Sequence, residues 1–134
     1  MTKVKNIALV AGSSVALFAG SLAVAPAAWA DCKHWEEDCW GAIAYSPKTG
    51  VWGSDINASE QSHAVNDAKI QCAISGPTND CVVVIWGTAC MALATNSAGA
   101  YNGAAGPTLD AADAAAIADV PGGGGQITTH VCVA

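Results

Sequence analysis

The sequence predicts an α+β domain in which a ββαβ unit occurs twice in tandem, with two helices packed on one face of a mainly antiparallel sheet. Three observations predict this class. Between Trp40 and Ala134 the same order of strand-like and helix-like segments occurs twice. The helix-like segments are rich in alanine, whereas the strand-like segments are short apolar runs bounded by turn residues. Six cysteines in a chain of 134 residues indicate that disulfides staple the domain.

The first unit opens with a predicted hairpin. Residues 40–45 and 51–56 are strand-like. The segment Pro47-Lys-Thr-Gly50 between them has turn chemistry. The two strands are therefore expected to pair with each other.

A helix and a third strand complete the first unit. Ser59 is the predicted N-cap, and Glu60 lies at the end of the helix where a negative charge is favourable. Residues 76–79 contain the glycine, proline and asparagine that end the helix, and residues 81–86 then form an apolar run typical of a buried strand. One face of the helix carries residues at helical spacing: Ala64, Val65, Ala68 and Cys72.

The second unit repeats local features of the first. Residues 92–94 match residues 42–44, and residues 99–101 match residues 50–52. Each hairpin therefore has an aromatic residue at the start of its second strand.

The second predicted helix has an alanine-rich interior over residues 111–118. Thr108 is the corresponding N-cap, and Asp110 falls in the first turn. Four glycines after Pro121 end the helix, and residues 126–133 supply a closing strand.

The first 30 residues have the features of a cleavable export signal. Two lysines form a basic start, residues 7–25 are almost wholly apolar, and Ala28-Trp-Ala30 fits the pattern that signal peptidase cuts. The apolar run is long enough to be weighed as a membrane anchor, but it is rich in alanine and glycine. We therefore predict a signal peptide over residues 1–30, a mature chain that starts at Asp31 without stable membrane insertion, and a secreted or cell-envelope location.

The mature chain is predicted to hold a single domain over residues 40–134, preceded by an extension over residues 31–39 that contains Cys32 and Cys39. It keeps three lysines and no arginine against eleven carboxylates, a formal charge of −8. Such a surface repels phosphate backbones and anionic headgroups, so no nucleic-acid partner is expected. Basic peptides, cations and neutral glycans stay open as ligands.

The six cysteines allow about 15 connectivities, and spacing only favours some of the pairs. Cys72 ends a helical pattern and Cys81 starts a strand, so a bridge between them would join helix to sheet. Structural zinc sites usually contain Cys-x-x-Cys pairs or close Cys/His clusters, and the chain has neither. Disulfides are therefore favoured over a metal site. Neither a metal nor a cofactor is expected. The favoured pairs are Cys72 with Cys81, Cys90 with Cys132, and Cys32 with Cys39.

Short segments follow one another along the predicted domain: Trp40-Gly-Ala-Ile-Ala-Tyr45, Trp52-Gly53, Cys72, Asp80-Cys81-Val-Val, Ala89-Cys90-Met-Ala-Leu-Ala94, Gly106-Pro-Thr-Leu109 and the glycine-rich run before Cys132. In these segments and their order, residues 40–134 resemble the domain of unknown function 4189, a family of small secreted bacterial proteins of mycobacteria and their relatives. The resemblance implies export and a disulfide-bonded fold, and it supplies no catalytic residues. Residues 31–39 are an addition to the family pattern.

Two motifs known from enzymes are better explained as connections. Lys48-Thr-Gly50 matches a motif of serine β-lactamases and penicillin-binding proteins, but the chain lacks their Ser-x-x-Lys motif. Gly122 to Gly125 are followed by a strand pattern instead of the Gly-Lys-Ser/Thr and helix of a P-loop. The first motif is predicted to be a hairpin turn and the second a flexible connection.

One pair of residues hints at thiol chemistry. His130 and Cys132 are two residues apart on the closing strand and so share a face. The alternative is a small hydrolase that uses a free Cys132 with His130, whereas a disulfide to Cys90 is the preferred interpretation in an oxidising compartment. His34 and His63 have no carboxylate partner evident from spacing and are expected at the surface.

The N-terminal extension contains a candidate binding cluster. Glu36, Glu37 and Asp38 lie between Trp35 and Trp40. Carboxylates and indole rings in this pattern would grip a basic peptide or a cation. Alternatively, the tryptophans cover the core and the acids are solvated.

Trp52 and Tyr101 are the second pair of binding candidates. They occupy equivalent positions in the two units, so they would form a paired aromatic platform for a sugar or a peptide. The alternative is that both belong to the core.

No set of nucleophile, base and orienting residue emerges from the sequence. It therefore favours a non-enzymatic interaction module, secreted or in the cell envelope, whose partner is an unknown extracellular or envelope protein or glycan. The alternatives are a hydrolase that uses Cys132 and His130, and an inhibitor of a secreted enzyme.

Overall fold

The computed structural model describes Cys32 and residues 38–133. Two helices and six strands occur in these residues, in the order ββαβ followed by ββαβ. The fold is therefore α+β, as predicted. The export signal predicted over residues 1–30 lies outside the described residues. The elements are β1 (Trp40–Tyr45), β2 (Trp52–Ala58), α1 (Gln61–Ile74), β3 (Val82–Gly87), β4 (Cys90–Thr95), β5 (Tyr101–Gly106), α2 (Leu109–Ala118) and β6 (Gln126–Cys132).

The six strands divide into two antiparallel sheets, a division that the sequence pattern did not predict. The strand order is β2-β1-β3 in the first sheet and β5-β4-β6 in the second. In each unit, the strand after the helix returns to pair with the first strand of the same unit. Each ββαβ unit therefore closes its own sheet, and β1 and β4 are the central strands.

The two sheets share a core, and each sheet also packs against its own helix. Because both faces of β1 and β4 are covered, neither strand shows an alternation of polar and apolar residues. Large side chains of the two central strands meet between the sheets: Ile43, Tyr45, Met91 and Leu93. The positions that face the helices are small: Ala42 and Ala44 beneath α1, and Ala92 and Ala94 beneath α2.

The helices present small residues to their sheets. In α1 the buried residues are Ala64, Ala68 and Cys72, on the face that the spacing predicted. Thr108 caps α2, because its side chain accepts a hydrogen bond from the backbone N–H of Ala111 at 3.1 Å. The prediction for α1 was one residue off, since Glu60 takes the N-cap position in place of Ser59 and makes no side-chain cap hydrogen bond.

All six cysteines are in disulfides, in the pairs that spacing favoured. Cys72 joins the last turns of α1 to Cys81, just before β3, with 6.1 Å between Cα atoms. Cys90 and Cys132 are directly opposite each other on β4 and β6, with a Cα–Cα distance of 3.9 Å. Cys32 and Cys39 form the third bridge, and both are buried against the core between the sheets.

Candidate functional site

An open groove of about 520 Å³ runs along the outer edge of β2, beside the C-terminal half of α1. We call it the β2–α1 groove. Strand residues form one wall, and polar residues of α1 and its C-cap form the other. The lining residues are Gly50, Val51, Trp52, Gly53, Ser54, Gln71 and Ser75.

Strand β2 is an edge strand. Within the described part of the chain it pairs with β1 alone, in the antiparallel sense. Backbone N–H and C=O groups on the far side of an edge strand lack a strand partner, which makes such an edge a template for pairing with another chain. The groove therefore offers main-chain hydrogen-bonding groups along one wall.

Trp52 is the large apolar side chain of the groove. Its neighbour across the β1–β2 pair is Tyr45, which is buried between the sheets. Trp52 itself lies at the end of the edge strand and is 38% exposed. An indole that is partly held by the protein and partly open to solvent suits contact with a ligand, because its ring is apolar and its N–H is a hydrogen-bond donor.

Gly53 sets the distance between β2 and α1. A β-carbon at this position would lie 2.2 Å from the backbone nitrogen of Cys72 and 2.6 Å from the carbonyl oxygen of Ala68. Only glycine lets the helix backbone approach the strand this closely. The two walls of the groove are therefore in close contact at Gly53, where the backbone of β2 packs against the backbone of α1.

Two carboxylates lie beside the groove. Asp55 follows the groove-lining residues on β2, and Asp67 lies on α1 one turn before Gln71. Burial raises the pKa of Asp55 above its ordinary value, and the negative charge of Asp67 raises it further. Oδ2 of Asp55 is buried and has no hydrogen-bond partner among the described residues. Among the described residues, neither carboxylate forms a salt bridge with a lysine.

Helix α1 adds to the negative potential. Its C-terminal end carries a partial negative charge from the aligned peptide dipoles, and its last turn contains no basic residue. Lys48 and Lys69 are the lysines of the described residues, and each lines a different surface depression. The two carboxylates and the helix end together give the groove a negative electrostatic potential.

The other sequence-predicted binding residues lie elsewhere. Tyr101 is not beside the groove: its ring packs on that of Tyr45, with 5.1 Å between centroids, and it contacts the core between the sheets. Asp38 is exposed. Trp35, Glu36 and Glu37 lie outside the described residues, so their suggested role stays a prediction.

His130 has a carboxylate partner that the spacing of the sequence did not reveal. Its Nδ1 lies 2.9 Å from Oδ1 of Asp113, on α2. Because α2 packs across β6, two residues 17 positions apart become neighbours. Cys132 is bonded to Cys90, so the sulfur that the hydrolase alternative requires as a thiol is in a disulfide. His63, expected at the surface, is half-buried.

The Lys48-Thr-Gly50 motif forms a hairpin turn, as predicted, with Gly50 at a φ of 83°. A buried hydroxyl ties this turn to the segment before β3. Oγ of Ser46 hydrogen-bonds to Oγ1 of Thr78 and to the carboxylate of Asp80, and the backbone N–H of Lys48 donates to the same carboxylate. These hydrogen bonds hold the pKa of Asp80 below its ordinary value.

Asn96 performs the same task in the second unit. Its amide nitrogen donates to the carbonyl oxygens of Pro121 and Gly123, at 3.0 and 2.8 Å. Its oxygen accepts from the backbone N–H groups of Ala98 and Ala100 in the hairpin turn. Each unit therefore fastens its hairpin turn to the loop after its helix through polar side chains, Ser46 with Asp80 in the first and Asn96 in the second, a relationship that the sequence pattern alone did not suggest.

The described residues show neither a metal-binding cluster nor a membrane-spanning helix. No group of three or more histidine, cysteine, aspartate or glutamate side chains is arranged there to hold a metal ion. No helix among them is both long and apolar enough to cross a membrane.

The chain matches one family model and is similar to proteins of mycobacteria. The family model of a domain of unknown function, DUF4189, matches residues 40–132. Protein Rv1269c of Mycobacterium tuberculosis and Protein Mb1300c of Mycobacterium bovis are each 41% identical to the chain over 95 residues, which is 71% of this chain and 70% of each relative. The NMR structure of Rv1813c from Mycobacterium tuberculosis is similar, with a TM-score of 0.56 and 32% identity over 71% of this chain and 75% of that one.

Proposed function

The chain belongs to the DUF4189 family, and we propose that it is an exported, non-enzymatic interaction module that binds a polypeptide partner through the β2–α1 groove. The observation that carries this proposal is the position of Trp52. Its half-exposed indole lies on an edge strand whose outer side has no strand partner among the described residues. Edge strands that carry an exposed aromatic residue are surfaces that a second chain can cover.

Export is supported by two independent features. Residues 1–30 have the composition of a cleavable signal. All six cysteines are paired, which suits an oxidising compartment outside the cytoplasm. The intact mass of the exported protein, with and without reduction before alkylation, tests both features. We expect a mass that begins at Asp31 and no alkylation before reduction, whereas a retained N-terminus or a free thiol would contradict the proposal.

Site-specific photocrosslinking tests the binding role. A photoreactive phenylalanine analogue replaces Trp52 in one version of the protein and Ile117 in a control version. Ile117 is a matched control because both residues are 38% exposed and Ile117 lies on α2, away from the groove. The protein is expressed in a mycobacterial host that exports it. We expect one defined polypeptide to be crosslinked from position 52 and not from position 117.

The captured polypeptide is then purified, and its affinity is measured for the unsubstituted protein, for Trp52→Ala and for Ile117→Ala. We expect Trp52→Ala to weaken binding at least tenfold and Ile117→Ala to leave it within twofold of the original. Equal crosslinking from both positions, a glycan in place of a polypeptide, or unchanged binding to Trp52→Ala would each contradict the proposed function.

A further inference from the structure

Building on the proposed function, we infer that the occupant of the β2–α1 groove is an extended, lysine- or arginine-containing peptide segment that pairs with β2 as an added fourth strand. The inference depends on the groove being the binding site, and it adds the conformation and the charge of the ligand. Three properties of the described residues support it, each from a different part of the groove.

The first property is the geometry of the walls. The groove lies between an edge strand and a helix, and residues 50–54 form one wall. An extended peptide satisfies such an edge through main-chain hydrogen bonds, and its alternate side chains then point toward the helix and away from it. Gln71 and Ser75 on the opposite wall offer polar contacts to the side chains that point toward α1.

The second property is the charge along the groove. Asp55 and Asp67 are close enough for their charges to interact, and Asp55 is partly desolvated. Neither forms an ion pair with a lysine of the described residues. A lysine or arginine side chain of the ligand would neutralise this pair, and the negative C-terminal end of α1 attracts positive charge to the same groove.

The third property is the position of Trp52 at the other end of the groove. A strand advances about 3.3 Å per residue, so Trp52 and Asp55, three residues apart, are separated by about 10 Å along the edge. Two side chains three positions apart on an added strand span the same distance and point to opposite faces, as Trp52 and Asp55 themselves do. One of them would contact the indole, by apolar or cation–π contact, while a basic one reaches Asp67.

The test uses defined hexapeptides with blocked ends. The first alternates threonine and lysine, the second replaces each lysine by glutamate, and the third carries N-methyl groups on alternate amides of the lysine peptide. Binding to the ¹⁵N-labelled exported protein is followed by NMR at low salt. We expect the lysine peptide to shift the amide signals of residues 50–55 and the glutamate peptide to bind at least tenfold more weakly. N-methyl groups can be placed on either of two alternating sets of amides, and we expect the set that faces β2 to abolish binding.

Charge variants provide matched controls. Asp67→Asn and Asp55→Asn should each weaken the lysine peptide about five- to tenfold, whereas Asp110→Asn on α2 makes the same change in net charge and should change the affinity less than twofold. Equal effects of Asp67→Asn and Asp110→Asn would show a non-specific charge effect and overturn the inference. So would equal binding of the lysine and glutamate peptides.

The outcomes separate this inference from the proposed function. Suppose that a polypeptide is captured at position 52, but that binding does not respond to Asp55→Asn, Asp67→Asn or backbone N-methylation. The groove would then remain the binding site, and the inference of a basic ligand that pairs as a strand would be wrong. Absence of groove shifts with the lysine peptide, together with equal crosslinking from positions 52 and 117, would overturn both.

Discussion

The rings of Tyr45 and Tyr101 pack against each other at a centroid distance of 5.1 Å, with an angle of 53° between their planes. Tyr45 belongs to the central strand of the first sheet and Tyr101 to an edge strand of the second. This contact therefore joins the two sheets, and it explains why Tyr101 contributes to the core although Trp52, at the equivalent position of the first unit, lines a groove.

The difference between these two aromatic residues predicts different costs of truncation. Tyr101→Ala should lower the free energy of unfolding by about 2–3 kcal/mol, because it removes a packed ring from the core between the sheets. Trp52→Ala should cost about 1 kcal/mol, because the side chain is already 38% exposed. Urea denaturation of the two variants measures both values, and equal costs would contradict the assignment of Trp52 to the surface.

Gly53 should be intolerant of even the smallest side chain. Gly53→Ala places a β-carbon against the backbone of α1, so the helix has to move away from β2, and we expect a loss of at least about 2 kcal/mol. Gly87→Ala is the control within β3, since a β-carbon there has no heavy atom within 4 Å, and its effect should stay within about 0.5 kcal/mol. Thermal unfolding compares the two, and similar melting temperatures would show that α1 does not lie so close to β2.

Two of the three disulfides should differ in their contributions to stability. Replacing Cys90 and Cys132 by alanine opens a link across a sequence separation of 42, for which loop entropy gives about 4 kcal/mol. The same change at Cys72 and Cys81, separated by 9, should cost about 2.5 kcal/mol. Denaturation of the two double variants tests the order, and a larger loss for the shorter loop would contradict the loop-entropy account.

Asp80 should stabilise the fold except in acid. Its folded-state pKa is lowered by hydrogen bonds from Ser46 and Thr78, so its contribution is present above the unfolded pKa of about 3.9 and is lost as the pH falls through the folded value. Asp80→Asn should therefore lower the urea midpoint at pH 7 and have little effect near pH 2. A penalty of the same size at both pH values would show that the carboxylate charge is not the cause.

Asp55 should show the opposite sign. Burial and Asp67 raise its folded-state pKa, so its contribution is present below the unfolded pKa and is lost as the pH rises through the folded value. Asp55→Asn should therefore raise the urea midpoint at pH 7 relative to pH 3, when each is compared with the unsubstituted protein. If Asp55→Asn changed the urea midpoint by the same amount at pH 7 and at pH 3, the result would contradict the desolvation of Asp55.

Local features of the sequence predicted most of the elements. Val-rich residues 81–86 and the alanines of the two helices identified the ββαβ order, and turn residues separated the strands of each hairpin. Prediction was weaker at the ends of elements, because Ser59 and Glu60 are both acceptable before a helix and only the backbone geometry decides which one caps it.

The candidate site was predictable only in part. Trp52 stood out as an aromatic residue in a hairpin, but its similarity to Tyr101 suggested one shared platform. Both lie on edge strands, but Tyr101 packs on Tyr45 in the core between the sheets whereas Trp52 is left partly exposed, and no local pattern records how the two sheets are placed against each other. Asp55 and Asp67 are 12 residues apart on different elements, so their proximity depends on how α1 packs over β2.

By itself, the sequence determined the fold class, the family and a disulfide framework, because these follow from periodicity, ordered motifs and cysteine spacing that are local in the chain. Tertiary structure decided that the strands form two sheets, that β2 is an edge with an acidic groove, and that His130 meets Asp113. These features depend on contacts between residues that are distant in sequence. They arise because each central strand buries alanines against a helix on one face and large side chains against the other sheet on the opposite face.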